Sequence, residues 1–207
     1  MTIVDANAPA PTPTPGPVYP GWSTVDKASS ITISPDYYTA TLVEPSSILA
    51  TAAITSGKYY VELAHTGMTV GFGLANHLLT FNQDAGVTPY AQVGYPAFGD
   101  ISRSGMSVGS FSPNTGIIGL MINADARTME FVVQGVSQGV VSIPFSGALY
   151  IVASNFDTVE GTVTLNTGGA AFVNTVPDGY TAGLNDAASG NLTFTQTAGP
   201  GGTLTFQ

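Results

Sequence analysis

Short runs in which apolar and polar residues alternate recur along the middle of the chain. The clearest are residues 58–63, 128–133 and 162–166. An alternation with a period of two is typical of a β-strand with one buried face and one wet face. Each run therefore predicts a strand. The side chains predicted to face inward are Tyr59, Val61, Leu63, Met129, Phe131, Val133, Val163 and Leu165.

Two further runs, residues 117–122 and 148–152, are continuously apolar, which predicts strands that are covered on both faces. Turn-forming residues separate the runs, for example at 123–126 and 134–135. No window shows the period of a helix. Regularly spaced short strands divided by turns predict an all-β fold, an antiparallel β-sandwich over residues 22–184.

The two ends of the chain depart from this pattern. Proline recurs so densely over residues 8–17 that neither a helix nor a sheet ladder can form, so residues 1–21 are predicted to be an extended arm. Residues 185–207 hold two short alternating runs around a Gly-Pro-Gly-Gly turn, which predict a hairpin. We expect both ends to contact neighbouring chains, with a solvated linker as the alternative for the arm. The predicted assembly contacts are Ile3, Val4, Val18, Tyr19, Phe194 and Phe206.

Charged residues are scarce in this chain. Four Lys and Arg stand against thirteen Asp and Glu, a net charge of −9, and only 8% of residues are charged where about 25% is usual. So few basic side chains cannot neutralise several phosphates, which argues against nucleic-acid binding and against an anionic membrane surface. No apolar run approaches the roughly 18 residues of a membrane span, so no membrane insertion is expected.

One sequence motif suggests a hydrolase. Residues 105–109 read Gly-Met-Ser-Val-Gly, which matches the G-x-S-x-G elbow that carries a nucleophilic serine. That elbow needs a helix after it and a histidine later in the chain, whereas His65 and His77 both precede Ser107. We therefore interpret the motif as part of a glycine- and serine-rich loop.

Paired carboxylates are the other candidate for chemistry, because many glycosidases use two of them. Glu62 and Glu130 have the phase of outward-facing strand residues. Lys58 has the same phase as Glu62, which predicts an ion pair rather than a catalytic acid. The chain has no cysteine, no His-x-His spacing and no dinucleotide fingerprint. No catalytic residue, metal site or cofactor is therefore predicted.

The turn-rich segment 76–112 is the predicted ligand-binding region. It combines aromatic rings with amide and charged groups, a mixture that suits recognition of sugars or proteins. Tyr95 and Phe98 are expected instead to fill the interior of the sandwich. The predicted ligand-binding residues are His77, Phe81, Asn82, Asp84, Tyr90 and Arg103.

Several of these runs, in their order along the chain, resemble the strands of SPRY domains, particularly those of bacteriophage structural proteins. Residues 57–62 (Gly-Lys-Tyr-Tyr-Val-Glu) are similar to a Gly-Lys-aromatic-Tyr-aliphatic-Glu strand of that family. Gln134 stands where asparagine is usual, and segment 76–112 lacks a clear Trp-Gly-Tyr-type strand. The further matching segments are residues 26–34, 70–75, 116–139, 147–150, 163–168 and 177–180.

The resemblance implies a SPRY-like, concanavalin-like antiparallel sandwich whose loops bind a partner, without shared catalytic residues or a cofactor. It implies a non-enzymatic protein of a phage virion, made in the cytoplasm of the bacterial host. We expect attachment to a host-surface glycan or protein, as part of a tail fibre or spike. A capsid decoration protein that clamps neighbouring virion subunits is the alternative, and a glycan hydrolase is a distant third. Contacts with other virion proteins are expected, with the chain present as a homo-oligomer or in multiple copies.

Overall fold

A computed structural model of the chain describes residues 19–114 and 116–185. The predicted C-terminal hairpin, with Phe194 and Phe206, lies outside the described residues, and so does the arm through Ile3, Val4 and Val18. Tyr19 is described, and its ring lies against Gly168 of the same chain. Its carbonyl oxygen accepts a hydrogen bond of 3.2 Å from the Tyr38 hydroxyl. The predicted role of these residues in assembly stays a prediction.

The described residues form fifteen strands and one short 3-10 helix, Ala85–Val87. None of their helices is long and apolar enough to cross a membrane. The strands are β1 (Trp22–Lys27), β2 (Thr32–Ile33), β3 (Thr39–Leu42), β4 (Ser46–Ala50), β5 (Lys58–Thr66), β6 (Val70–Ala75), β7 (Ala91–Tyr95), β8 (Asp100–Arg103), β9 (Met106–Ser110), β10 (Ile118–Asn123), β11 (Thr128–Val133), β12 (Val136–Ser142), β13 (Tyr150–Asn155), β14 (Gly161–Asn166) and β15 (Thr181–Ala182).

The strands build two sheets. The seven-stranded sheet has the order β1-β4-β13-β6-β7-β8-β9, and the eight-stranded sheet has the order β12-β11-β10-β5-β14-β3-β2, with β15 added beside β5. The neighbours in each order pair antiparallel, and β15 alone pairs parallel, with β5. The predicted all-β antiparallel sandwich is confirmed.

The main hydrophobic core lies between the two sheets. Seven of the eight side chains predicted to face inward are buried in it, and Tyr59 packs against it partly buried. The alternating pattern identified these residues because period-two alternation places every second side chain on the same face. Trp22 closes the core from β1, and its indole N–H donates to the carbonyl oxygen of Val163 at 3.3 Å.

Each sheet is also covered on its outer face. Segment 76–90 lies over the seven-stranded sheet, where Leu79 and Ala85 join a second buried cluster with Val152 and Tyr95. Residues 172–180 lie over the eight-stranded sheet and cover Tyr60, Met121 and Val132. The central strands β10 and β13 are therefore buried on both faces, as their continuous apolar runs predicted.

Glu62 corrects one prediction. Its side chain is only 3% exposed, and it does not pair with Lys58. Both carboxylate oxygens instead accept hydrogen bonds from the covering segment, from the backbone N–H of Val173 at 2.8 Å and of Asn174 at 2.7 Å. The predicted ion pair is wrong because the strand face that alternation marked as wet is covered by residues more than a hundred positions away in the chain.

Candidate functional site

An open groove of about 610 Å³ lies on the outer face of the seven-stranded sheet. We call it the aromatic groove; Asp84, Val87, Tyr95, Phe98, Asp100 and Phe156 line it. Its walls come from the segment that covers the sheet, from the turn between β7 and β8, and from the residue that follows β13. No basic side chain is among the described residues that line it.

The β7–β8 turn positions two walls of the groove. Tyr95 ends β7 and is the cross-strand partner of Asp100, which begins β8. Directly paired residues project from the same face of a sheet with their Cβ atoms about 5 Å apart, so both side chains face the groove. Gly99 makes the turn possible with a φ of +68°, and a Cβ there would lie 2.1 Å from the carbonyl oxygen of Phe111. Phe98 precedes this glycine and extends into solvent.

Three aromatic rings lie together in the groove, where Phe156 contacts both Tyr95 and Phe98. The Tyr95 and Phe156 ring centroids are 5.2 Å apart with the ring planes 84° apart. The centroids of Phe98 and Phe156 are 5.8 Å apart at 51°. Phe98 remains 50% exposed and Phe156 38% exposed. An exposed cluster of large apolar rings in a concavity is typical of a binding surface, because burying it against a partner is favourable.

Hydrogen bonds hold the Asp84 carboxylate at the base of the groove. Its Oδ1 accepts from the backbone N–H of Gly86 at 3.0 Å and from the Ser154 hydroxyl at 2.7 Å. The Tyr95 hydroxyl donates to the same oxygen. Burial raises the pKa of Tyr95 well above its usual value, and the charge of Asp84 raises it further. The phenol is therefore a proton donor at ordinary pH. All three hydrogen bonds end on Oδ1, so within the described part of the chain Oδ2 of Asp84 is available to a ligand.

The serine of the G-x-S-x-G motif is hydrogen-bonded to Asp100. The Ser107 hydroxyl donates to Asp100 Oδ1 at 2.5 Å. Ser107 lies within β9, at the edge of the seven-stranded sheet, so the interpretation of the motif as part of a loop is wrong. The described residues after β9 form no helix. His65 Nε2 lies 3.2 Å from the carbonyl oxygen of Asn114, and His77 Nε2 lies 2.9 Å from Asp26 Oδ1. This arrangement differs from a strand–turn–helix nucleophile elbow, and neither histidine is placed to activate Ser107.

The predicted ligand-binding residues do not form one site. Asp84 lines the aromatic groove, while Phe81 is partly buried and packs against both the main core and the second buried cluster. His77 is exposed, pairs with Asp26, and its ring centroid lies 5.4 Å from that of Tyr150. Their role in binding stays a prediction.

The remaining three predicted residues do not line the groove. Asn82 and Tyr90 are exposed on the covering segment. Arg103 lines a separate polar cleft of about 400 Å³ between the edge strands β9 and β12, together with Gln92 and Gln138. Both side-chain amide atoms of Gln92 are buried there without a hydrogen-bond partner among the described residues.

Sequence reasoning missed most of the groove. Phe98 was expected to fill the sandwich, and that expectation is wrong because its turn projects it outward and leaves it half exposed. Tyr95 is buried as expected, but on the outer face of the sheet rather than in the main core. Phe156 lies 58 positions after Phe98, and no local pattern marks it. The only usable signal was an aromatic residue directly before a glycine within the turn-rich segment 76–112.

The described residues contain no group of three or more His, Cys, Asp or Glu side chains able to hold a metal ion. The arrangement at the groove is apolar and anionic. Such a surface is suited to holding a partner.

Comparison with solved structures identifies the fold. The chain is similar to the SPRY domain of human HERC1, with a TM-score of 0.59 and 15% identity over 73% of this chain and 100% of that domain. It is also similar to the TRIM65 PSpry domain, with a TM-score of 0.60 and 13% identity over 72% of this chain and 92% of that one. Stonustoxin gives a TM-score of 0.60 at 16% identity over 72% of this chain, which corresponds to 27% of the stonustoxin chain. No protein-family model and no curated protein sequence matches. The fold is SPRY-like.

Proposed function

We propose that this chain is a non-enzymatic binding module of the SPRY type that holds its partner in the aromatic groove. The observation that carries the proposal is the group of three neighbouring rings, two of them substantially exposed, in a concavity of about 610 Å³. Binding sites are typically concavities of about 300–1,000 Å³ with mainly apolar walls and a few placed polar groups. The exposed rings have no role in the core of the sandwich, and a bound partner would bury them.

We further propose that the module is carried on a bacteriophage virion, after synthesis in the host cytoplasm, and attaches the particle to the host surface. This step is supported by the resemblance of residues 57–62 and 116–139 to strands of phage SPRY proteins. The charge-poor surface, rich in Thr, Ser and Gly, agrees with it. A tail fibre or spike that carries several copies would convert a modest affinity into firm attachment through multivalency.

The test is adsorption of virions that carry a double substitution, Phe98→Ala with Phe156→Ala. Loss of two anchoring rings should reduce adsorption to host cells at least tenfold, since a central aromatic anchor is worth about 2 kcal/mol or more. Val25→Ala with Val173→Ala is the matched control, because both valines are exposed, at 82% and 70%, and neither lines the groove. Unchanged adsorption of the groove variant, with normal incorporation into particles, contradicts the proposal.

A capsid decoration role is the second candidate, and the sheet edges favour it. Within the described residues, β9 and β12 are terminal strands of their sheets. Val136 and Val140 on β12 are 62% and 65% exposed. An unpaired edge with exposed apolar side chains accepts a strand from a neighbouring chain. Cryo-electron microscopy of the virion distinguishes the two roles, because decoration places the chain on the capsid lattice and attachment places it at the tail.

A further inference from the structure

We propose that the aromatic groove recognises the ammonium group of a lysine side chain presented by a protein partner. The proposal rests on the proposed function, since it names the chemistry of the partner that the same groove holds. Three features carry it: the arrangement of the rings, the carboxylates beside them and the absence of basic side chains from the described lining.

Two of the rings, those of Phe98 and Phe156, are exposed enough to offer a face to a cation. Tyr95 is nearly perpendicular to Phe156, and Phe98 is tilted 51° from it. Aromatic faces carry negative potential and attract a cation within about 6 Å of the ring centroid. The faces of Phe98 and Phe156 therefore form an angled apolar wall rather than one flat stacking platform, and Tyr95, which is 5% exposed, packs against Phe156.

Two carboxylates complete the site. Asp84 and Asp100 both line the groove. Each uses Oδ1 for the hydrogen bonds given above, which leaves Oδ2 of each without a protein donor among the described residues. An ammonium group carries three N–H donors and no acceptor, so it can satisfy free carboxylate oxygens while it lies against the rings.

Lysine fits this geometry better than arginine does. A guanidinium is planar and interacts best by stacking on one ring face, whereas an ammonium is compact and interacts with any face. The aliphatic stem of a lysine would lie along Val87, which is 50% exposed, and such stems pack well on apolar walls. The net charge of −9 would in addition attract a basic partner.

The experiment titrates the full chain with synthetic peptides that differ at one central position. The position carries lysine, norleucine or arginine, and binding is measured by calorimetry and by backbone amide shifts. Norleucine keeps the length of the lysine stem and removes the charge. We expect the lysine peptide to bind at least tenfold more tightly than the norleucine peptide and also more tightly than the arginine peptide. The affinity of the lysine peptide should fall with added salt. Equal binding of lysine and norleucine overturns the proposal, and so does tighter binding of arginine.

Two variants locate the site. Asp100→Asn should weaken the lysine peptide at least fivefold, while Asp178→Asn, an exposed carboxylate elsewhere, should leave binding unchanged. Phe98→Leu keeps an apolar wall and removes the ring face, and it should lower the affinity for the lysine peptide threefold or more. Thermal melting of each variant establishes that it is folded. Equal weakening by Asp178→Asn would reveal non-specific attraction to the acidic chain and would overturn the proposal.

The outcomes separate this inference from the proposed function. If adsorption requires Phe98 and Phe156 but the peptides show no preference for lysine, the groove holds an uncharged protein segment or a glycan, and only the inference fails. If the lysine peptide binds in the groove but adsorption is unchanged when both rings are removed, the inference stands and the attachment function fails.

Discussion

Replacement of Glu62 by glutamine tests how the outer face of the eight-stranded sheet is held. The carboxylate is 3% exposed and accepts four hydrogen bonds. Oε2 accepts from the Val173 N–H at 2.8 Å. Oε1 accepts from the Asn174 N–H at 2.7 Å, from its side-chain amide at 3.0 Å and from the Tyr60 hydroxyl at 3.1 Å. Glutamine has nearly the same shape, but one of its two terminal groups is a donor.

The size of the effect follows from this mismatch. The new NH₂ group must face at least one backbone N–H, so that hydrogen bond is lost and a buried donor remains unpaired. A hydrogen bond to a charged group contributes about 1.5–3 kcal/mol. The bonds that survive also weaken, because their acceptor becomes neutral. We expect Glu62→Gln to lower the free energy of unfolding by about 2–4 kcal/mol.

Urea denaturation followed by the fluorescence of Trp22, the single tryptophan, measures the global effect. Amide hydrogen exchange at Val173 and Asn174 measures the local one, and both amides should exchange much faster in the variant. Glu130→Gln is the matched control, since Glu130 lies in the same sheet on β11, is only partly buried and accepts one hydrogen bond, from the Ser137 hydroxyl at 2.6 Å. It should change stability by no more than about 0.5 kcal/mol. Wild-type stability together with wild-type exchange in Glu62→Gln would refute the reasoning.

Three further predictions concern buried groups. Gln92→Leu should raise the free energy of unfolding by about 1–2 kcal/mol, because it removes a buried amide that has no hydrogen-bond partner among the described residues. A lower free energy of unfolding, measured by urea denaturation, would show that the amide has a partner such as a bound water and would contradict the prediction. Burial and the neighbouring carboxylates raise the pKa values of Tyr60 and Tyr95 above 10.0. The contribution of each tyrosine to the free energy of unfolding is therefore complete below pH 10 and declines by about 1.4 kcal/mol per pH unit above it. A urea midpoint that stays unchanged between pH 9 and 11 contradicts this prediction. Gly73→Ala should lower the free energy of unfolding by about 2 kcal/mol or more, since its Cβ would lie 2.0 Å from a backbone oxygen. Gly116→Ala is the control and should lower it by less than half as much, because its nearest contact is a side-chain oxygen at 3.2 Å. Equal melting temperatures of the two variants would contradict this prediction.

The sequence alone was enough to predict the alternating strands and most of the main core, but not the strands β7, β8 and β9 within segment 76–112. Alternation at 58–63, 128–133 and 162–166 is a local property. The side chains that this alternation predicted to face inward are buried between the two sheets, except for Tyr59, which packs partly buried against the core. The turn at 134–135 was also predictable, and there Gln134 adopts a φ of 51° and Gly135 a φ of 78°, the left-handed conformations that a tight hairpin requires.

Only the tertiary structure decided what happens on the outer faces. Alternation identifies the side chains that point away from the core, but it cannot indicate whether another segment covers them, as residues 172–180 cover Tyr60 and Glu62. The groove has the same origin, because Asp84, Phe98 and Phe156 come from three separate connections that meet only when β7 and β13 take their places beside β6 in one sheet. Contacts between loops depend on strand order, and strand order depends on the free energy of the whole packed sandwich rather than on any local run of residues.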